Sequence, residues 1–204
     1  MPMTLWRCLL ILALAWTTPA LALALDRDAL LDEANVLLLP RERVIPPLTL
    51  IDQDGQPFDT RSLQGRWHIL FFGFTACPDI CPTTLSDMRR LFGQLPSDTR
   101  ERLQLVLITA DPERDTPQQL KTYLDYYRAG FSGLTGEMEQ LQQLSRALGL
   151  PFVPANETQG DYSVSHSGNL ALVGPDGTLR GHIRAPLMLD GLQRALPRIV
   201  DTEH

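Results

Sequence analysis

Two cysteines four positions apart, Cys77 and Cys81, are the only thiols of this 204-residue chain beyond its first 24 residues. They stand in F-F-G-F-T-A-C-P-D-I-C-P-T-T, from Phe71 to Thr84, where an apolar run breaks at a turn. Thiols so placed bind soft metals or exchange with disulfides, and both reactions run through the thiolate. A purely structural bridge is the rival reading. It would close a very short loop, and the shortest loops restrict the unfolded chain least. The pair is therefore read as redox-active or metal-binding.

Two thiolates alone suit only linear Cu(I), so a fuller metal site needs a further ligand. Sulfur selects Cu(I), and a sulfur and imidazole set also holds Cu(II). The chain has four histidines. His204 is terminal, while His68 and His182 fall within expected strands as ordinary sheet residues. His166 lies in Y-S-V-S-H-S-G, a strand end closing in small polar residues and Gly168, which is the kind of bend that presents a side chain. Taken alone it is open between a structural residue and a ligand.

The elements that must position these groups follow from periodicity. Ile69, Leu70, Phe71, Phe72 and Phe74 read as a buried strand. Pro78 and Pro82 bracket the turn into a helix from near Ile80 to Leu95, with Leu85, Met88, Leu91, Phe92 and Leu95 inward. Cys81 would then lie in the first turn and Cys77 on the loop feeding it, on one face by their spacing. The positive helix end is expected to raise thiolate character at Cys81.

Upstream, residues 25–45 read as a spacer with one short amphipathic turn. The phrase L-T-L-I-D-Q-D-G-Q-P-F-D from Leu48 reads as a hairpin about Asp54-Gly55. Downstream, Leu103 to Ala110 is a strand apolar on both faces. Asp115 or Thr116 caps a helix opened by Pro117 and running to Gly130. Another helix spans 136–148, strands are expected over 161–166, 169–173 and 178–184, and a last helix runs from Leu187 to Val200. The alternation describes an α/β domain over 46–204, a mixed sheet with helices on both faces in an order that suits a thioredoxin-like fold.

The totals agree with a single domain and exclude several classes. Apolar and charged contents of 44% and 21% are ordinary for a globular chain. Net charge is -6 and the first 24 residues hold one arginine and no acid, so nothing resembles a basic nucleic-acid face. Those 24 residues carry a signal-peptide pattern: Arg7, the apolar core Leu9 to Trp16, Pro19, and the small-x-small site Ala22-Leu23-Ala24. The apolar stretch to Leu25 also nearly reaches the length of a short membrane anchor. Either way the domain is expected in the periplasm, free or tethered to the cytoplasmic membrane, where a cysteine pair can persist as a disulfide.

Three motifs in order, F-x-F-T-x-C-P-D-I-C-P (Phe72 to Pro82), D-P-E-R-D-T-P (Asp111 to Pro117) and Y-x-V-x-H-S (Tyr162 to Ser167), resemble the Sco (SenC/PrrC-type) copper proteins. The resemblance runs from about Pro46 to Val200. It implies a thioredoxin-like metallochaperone on the outer side of the cytoplasmic membrane that carries copper, as Cu(I) or Cu(II), to the dinuclear copper centre of cytochrome c oxidase. Carried across by position, Cys77 and Cys81 match the thiolate ligands and His166 the imidazole ligand. The implied partner is the copper-accepting oxidase subunit, together with other periplasmic copper or thiol-redox proteins. The family usually has Asp before the ligand histidine, where this chain has Ser165. Asp79, Asp111, Arg114 and Asp115 are also matched, and turn and capping chemistry suffices to explain them.

The alternative to a copper carrier is a thiol-disulfide oxidoreductase acting on the cysteines of a target copper site. A peroxiredoxin-like thiol peroxidase is disfavoured, because Thr75 stands six residues before Cys81 and two before Cys77, which breaks that motif's spacing.

Overall fold

The structure, a computed structural model, describes residues 25–154 and 164–202. The expected signal segment, the first three residues of the strand expected from 161, and His204 lie outside that range. At the centre stands β4 (Trp67–Gly73), whose seven residues are all buried. Side chains alternate across a strand, so Trp67, Ile69 and Phe71 face one core while Leu70 and Phe72 face a second core behind the sheet. Its parallel neighbour β5 (Leu103–Thr109) splits in the same way, with Leu103, Leu105 and Leu107 to the first core and Val106 and Ile108 to the second. Continuous apolar runs of this kind belong to strands covered on both faces.

The other strands are β1 (Val36–Val44), β2 (Thr49–Asp52), β3 (Pro57–Asp59), β6 (Ser132–Thr135), β9 (Leu170–Val173) and β10 (Thr178–Ile183), giving the sheet order β1-β10-β9-β4-β5-β6-β2-β3. β4, β5 and β6 run parallel, and β9 joins β4 antiparallel. A separate two-stranded ribbon pairs β7 (Phe152–Val153) with β8 (Ser165–His166).

The helix α2 (Ile80–Gln94) lays Leu85, Met88, Leu91 and Phe92 on the first core, as their 3.6-residue spacing predicts. Each such side chain contributes about 2 kcal/mol of burial free energy, which holds the helix start against the end of β4. Helices α1 (Arg27–Ala34), α4 (Pro117–Asp125) and α6 (Leu189–Asp201) complete the set around that core, the short α3 (Ser97–Glu101) leads into β5, and α5 (Met138–Leu148) covers the second core. α5 stops at Gly149, whose φ of 66° is the left-handed turn that glycine adopts without strain. The mixed sheet between two helical layers is the expected thioredoxin-like arrangement.

Residues 25–45 differ from the expected spacer. Leu30 and Ala34 of α1 and Val36 of β1 are fully buried, and β1 pairs with β10 as an edge strand of the sheet. Most of β1 is exposed, so its charges sit on a solvated edge and conceal the strand from any pattern of alternation. Capping also resolves one alternative: Thr116, not Asp115, caps α4, through a reciprocal capping box with Gln119.

Candidate metal centre

β4 ends at Gly73, in register with Thr109 at the end of β5. The chain then makes a tight turn, with the Cys77 N–H donating to the Phe74 carbonyl at 3.2 Å, and enters α2 at Ile80. Cys81 thus occupies the first helical turn and Cys77 the loop before it. Both are free thiols, Cys77 half-buried and Cys81 buried. Cys81 packs so closely on the end of β4 that a Cβ at Gly73 would stand 2.9 Å from its Sγ.

β8 brings His166 to the same place. Its neighbours pin the segment: the Ser167 N–H donates to the Pro151 carbonyl at 3.0 Å, and Val164 is buried in the first core. The ring stands edge-on to Phe71 and Phe74, at centroid distances of 5.8 and 6.0 Å. His166 Nε2 lies 3.3 Å from Cys81 Sγ. One donor atom each from Cys77, Cys81 and His166 falls within 4.8 Å of the others. The site opens to solvent through a recess of about 480 Å³ lined by Cys77 and His166 together with Ala76, Pro78, Asp79, Ile80 and Arg114.

The imidazole Nδ1 is 3.1 Å from the Ser167 carbonyl. A carbonyl only accepts, so that contact places the proton on Nδ1 and leaves the Nε2 lone pair facing the thiols. Ser165, in the position where Asp is usual, is exposed; ring orientation here falls to the backbone. Burial lowers the His166 pKa, which keeps the ring neutral and able to donate.

The expected rise in thiolate character at Cys81 is opposed by its surroundings. Burial pushes the Cys81 thiol up, against the lowering effect of the Phe74 backbone. Desolvation in a wholly enclosed position outweighs the helix end, because the full cost of a buried anion falls on one sulfur.

Residue reading also underestimated Asp115. It caps nothing; it is completely buried beneath the cysteine loop. Its carboxylate accepts from Thr75 N–H at 3.1 Å, Thr75 Oγ1 at 2.5 Å and Thr109 Oγ1 at 2.6 Å, tying the loop to the end of β5. Burial raises its pKa while these donors oppose the rise. Asp111, also buried, accepts from Arg114 Nε at 2.9 Å at the rim of the recess. The adjacency of β4 and β5 could have suggested the Thr75 and Asp115 pairing, since both follow strands that end side by side. His68 and His182 are, as expected, remote from the donor set: His68 Nδ1 meets the Arg66 carbonyl and His182 Nε2 the Leu148 carbonyl.

The SCO1/SenC family model matches residues 38–200. A protein of Stutzerimonas stutzeri named for copper binding is 81% identical over 200 residues, covering 98% of this chain and 97% of its own length. The mitochondrial protein SCO2 of Saccharomyces cerevisiae is 35% identical over 133 residues, a match that spans 64% of this chain and 44% of the yeast protein. Among solved structures, Arabidopsis thaliana ScoI with copper bound superposes with a TM-score of 0.67 at 31% identity, over 76% of this chain and 98% of that one. Yeast Sco1 superposes with a TM-score of 0.71 at 29% identity, over 78% and 98%. Family model, fold and the gathering of two thiols with one imidazole all agree, and the chain belongs to the SCO1/SenC family.

Proposed function

We propose that this protein is an exported copper carrier in which Cys77, Cys81 and His166 hold the ion and surrender it to the dinuclear copper site of a cytochrome c oxidase subunit. The observation that carries the reading is the meeting of the three donor atoms within 4.8 Å at a site open to solvent. Two sulfurs and a neutral imidazole are a soft donor set suited to Cu(I), and the imidazole extends its range to Cu(II). Three protein donors leave a coordination position at the mouth of the recess. A recipient's ligand can enter there before the first donor leaves, so the ion changes hands without release to bulk water. The apolar N-terminal sequence supports an address outside the cytoplasmic membrane, free after cleavage or tethered. No helix among the described residues is long and apolar enough to cross a membrane.

The test is copper stoichiometry on the anaerobically reduced protein, followed by transfer to a copper-free oxidase domain. One ion per chain is expected, with binding severely weakened in His166→Ala. Binding near zero, or tight binding unchanged in that variant, overturns the reading.

The unequal exposure of the two thiols favours one alternative, thiol-disulfide exchange with the target. Half-exposed Cys77 would attack a partner disulfide and Cys81 would resolve the mixed disulfide, leaving this chain oxidised and the partner with two thiols. Full reduction of an oxidase copper-site disulfide by His166→Ala would favour it, because that chemistry does not use the imidazole.

A further inference from the structure

The pole of the sheet opposite the cysteines carries charge of the other sign from the chain as a whole. Arg66, Arg89, Arg100 and Arg128 line one groove of about 460 Å³, with Glu101 the single carboxylate among its lining residues. All four arginines are exposed. Among the described residues Arg89, Arg100 and Arg128 form no ion pair, and Arg66 reaches only the amide oxygen of Gln104, at 3.3 Å. Arg128 is held at a φ of 50°, a backbone region that favours glycine or asparagine. Four guanidinium groups on a chain of net charge -6 therefore line one groove against a single carboxylate. Guanidinium forks match phosphate oxygens in pairs.

The point where the chain enters the domain lies at this same pole. Leu25, the last residue of the apolar run from Leu9, packs on the first core and lines a cavity with Trp67 and Ile199. Trp67 opens β4 and is the register partner of Leu103, which lines the arginine groove. α1 begins at Arg27, two residues after Leu25, so no spacer separates the apolar segment from the folded body.

We propose that the arginine groove docks the domain on anionic phospholipid headgroups. This rests on the reading that the apolar segment leads the chain to the membrane, and not on copper binding. β4 is seven residues long, so the donor site stands roughly 20 Å further from the bilayer at a strand rise of about 3.3 Å per residue. The recess thereby faces away from the lipid, toward any partner's extramembrane domain.

The test reconstitutes the full 204-residue chain in vesicles of phosphatidylcholine alone or mixed with phosphatidylglycerol, and follows hydrogen–deuterium exchange. Phosphatidylglycerol should slow exchange across 97–104 and 126–131, by an amount that falls at high salt. R89Q/R100Q/R128Q should abolish that slowing while binding copper as the parent does; each charge removed should weaken surface attachment about fivefold. Exchange indifferent to phosphatidylglycerol, or slowing that survives the triple substitution, overturns the proposal. Equal slowing by inorganic phosphate on phosphatidylcholine vesicles also overturns it, by assigning the groove to a soluble anion. A copper-binding failure with lipid protection intact would strike the carrier reading alone.

Discussion

His166 Nε2 stands 3.3 Å from Cys81 Sγ although 85 positions separate the two residues. The contact closes between two independent supports, the end of β4 with the start of α2 on one side and the ribbon β7–β8 on the other. The fold itself brings ring and thiol together, and donors held by a packed scaffold lower the ordering cost of binding.

Copper uptake should release protons. Burial keeps Cys81 a thiol at neutral pH and keeps His166 neutral, so the ion displaces a proton from sulfur and none from the ring. Affinity should rise as pH rises, about tenfold per unit for each proton released. Titration calorimetry in two buffers of different ionisation enthalpy measures this directly: at least one proton per ion is expected at pH 7, and none would refute the account.

Gly73→Ala should damage the site more than the fold. The new Cβ would stand 2.9 Å from Cys81 Sγ and 2.9 Å from Leu107 Cδ1, both in packed elements. Overpacking of this kind costs about 1–3 kcal/mol. Copper affinity, read by competition with a chelator, should fall at least about tenfold because Sγ is displaced. Wild-type affinity in a folded Gly73→Ala protein would show that the contact is easily relieved.

Asp115→Ala removes the shared acceptor of three donors beneath the cysteine loop. The stranded Thr75 and Thr109 groups should lower unfolding free energy by about 3 kcal/mol, measured by urea denaturation. Copper should also bind more weakly, since Cys77 loses the anchor two residues before it. A stability loss within experimental error of zero would mean that water replaces the carboxylate.

Acid should destabilise the protein partly through His68. That ring is 6% exposed, and burial together with the Arg66 guanidinium lowers its pKa to about 4. The folded state therefore favours the neutral ring. Its contribution is complete above the unfolded value of about 6.5 and is lost as pH falls from there through 4. The loss is up to about 3 kcal/mol by that shift. His68→Gln should flatten the stability profile between those values; an equally steep profile would exclude His68 as its cause.

Local signals made much of this molecule legible. The strand before the cysteines, the inward face of α2, the Asp54-Gly55 hairpin and Pro117 at a helix start are each settled within a few residues by periodicity, turn chemistry and capping. The resemblance carried by three motifs linked Cys77, Cys81 and His166 before any distance was known. The strand β1 was hidden for the complementary reason: its partner β10 lies some 140 positions later, and an exposed edge needs no apolar alternation. Asp115 looked like a cap because helix starts favour Asp, and only the adjacency of β4 and β5 turned it inward to Thr75.

By itself, then, the amino-acid order determined which donor types exist, which local elements carry them and which family they match. Tertiary structure alone decided the distance between ring and thiol and the burial that raises the Cys81 pKa. Both depend on what packs around a group from remote parts of the chain, since desolvation and non-local strand pairing are set by neighbours in space.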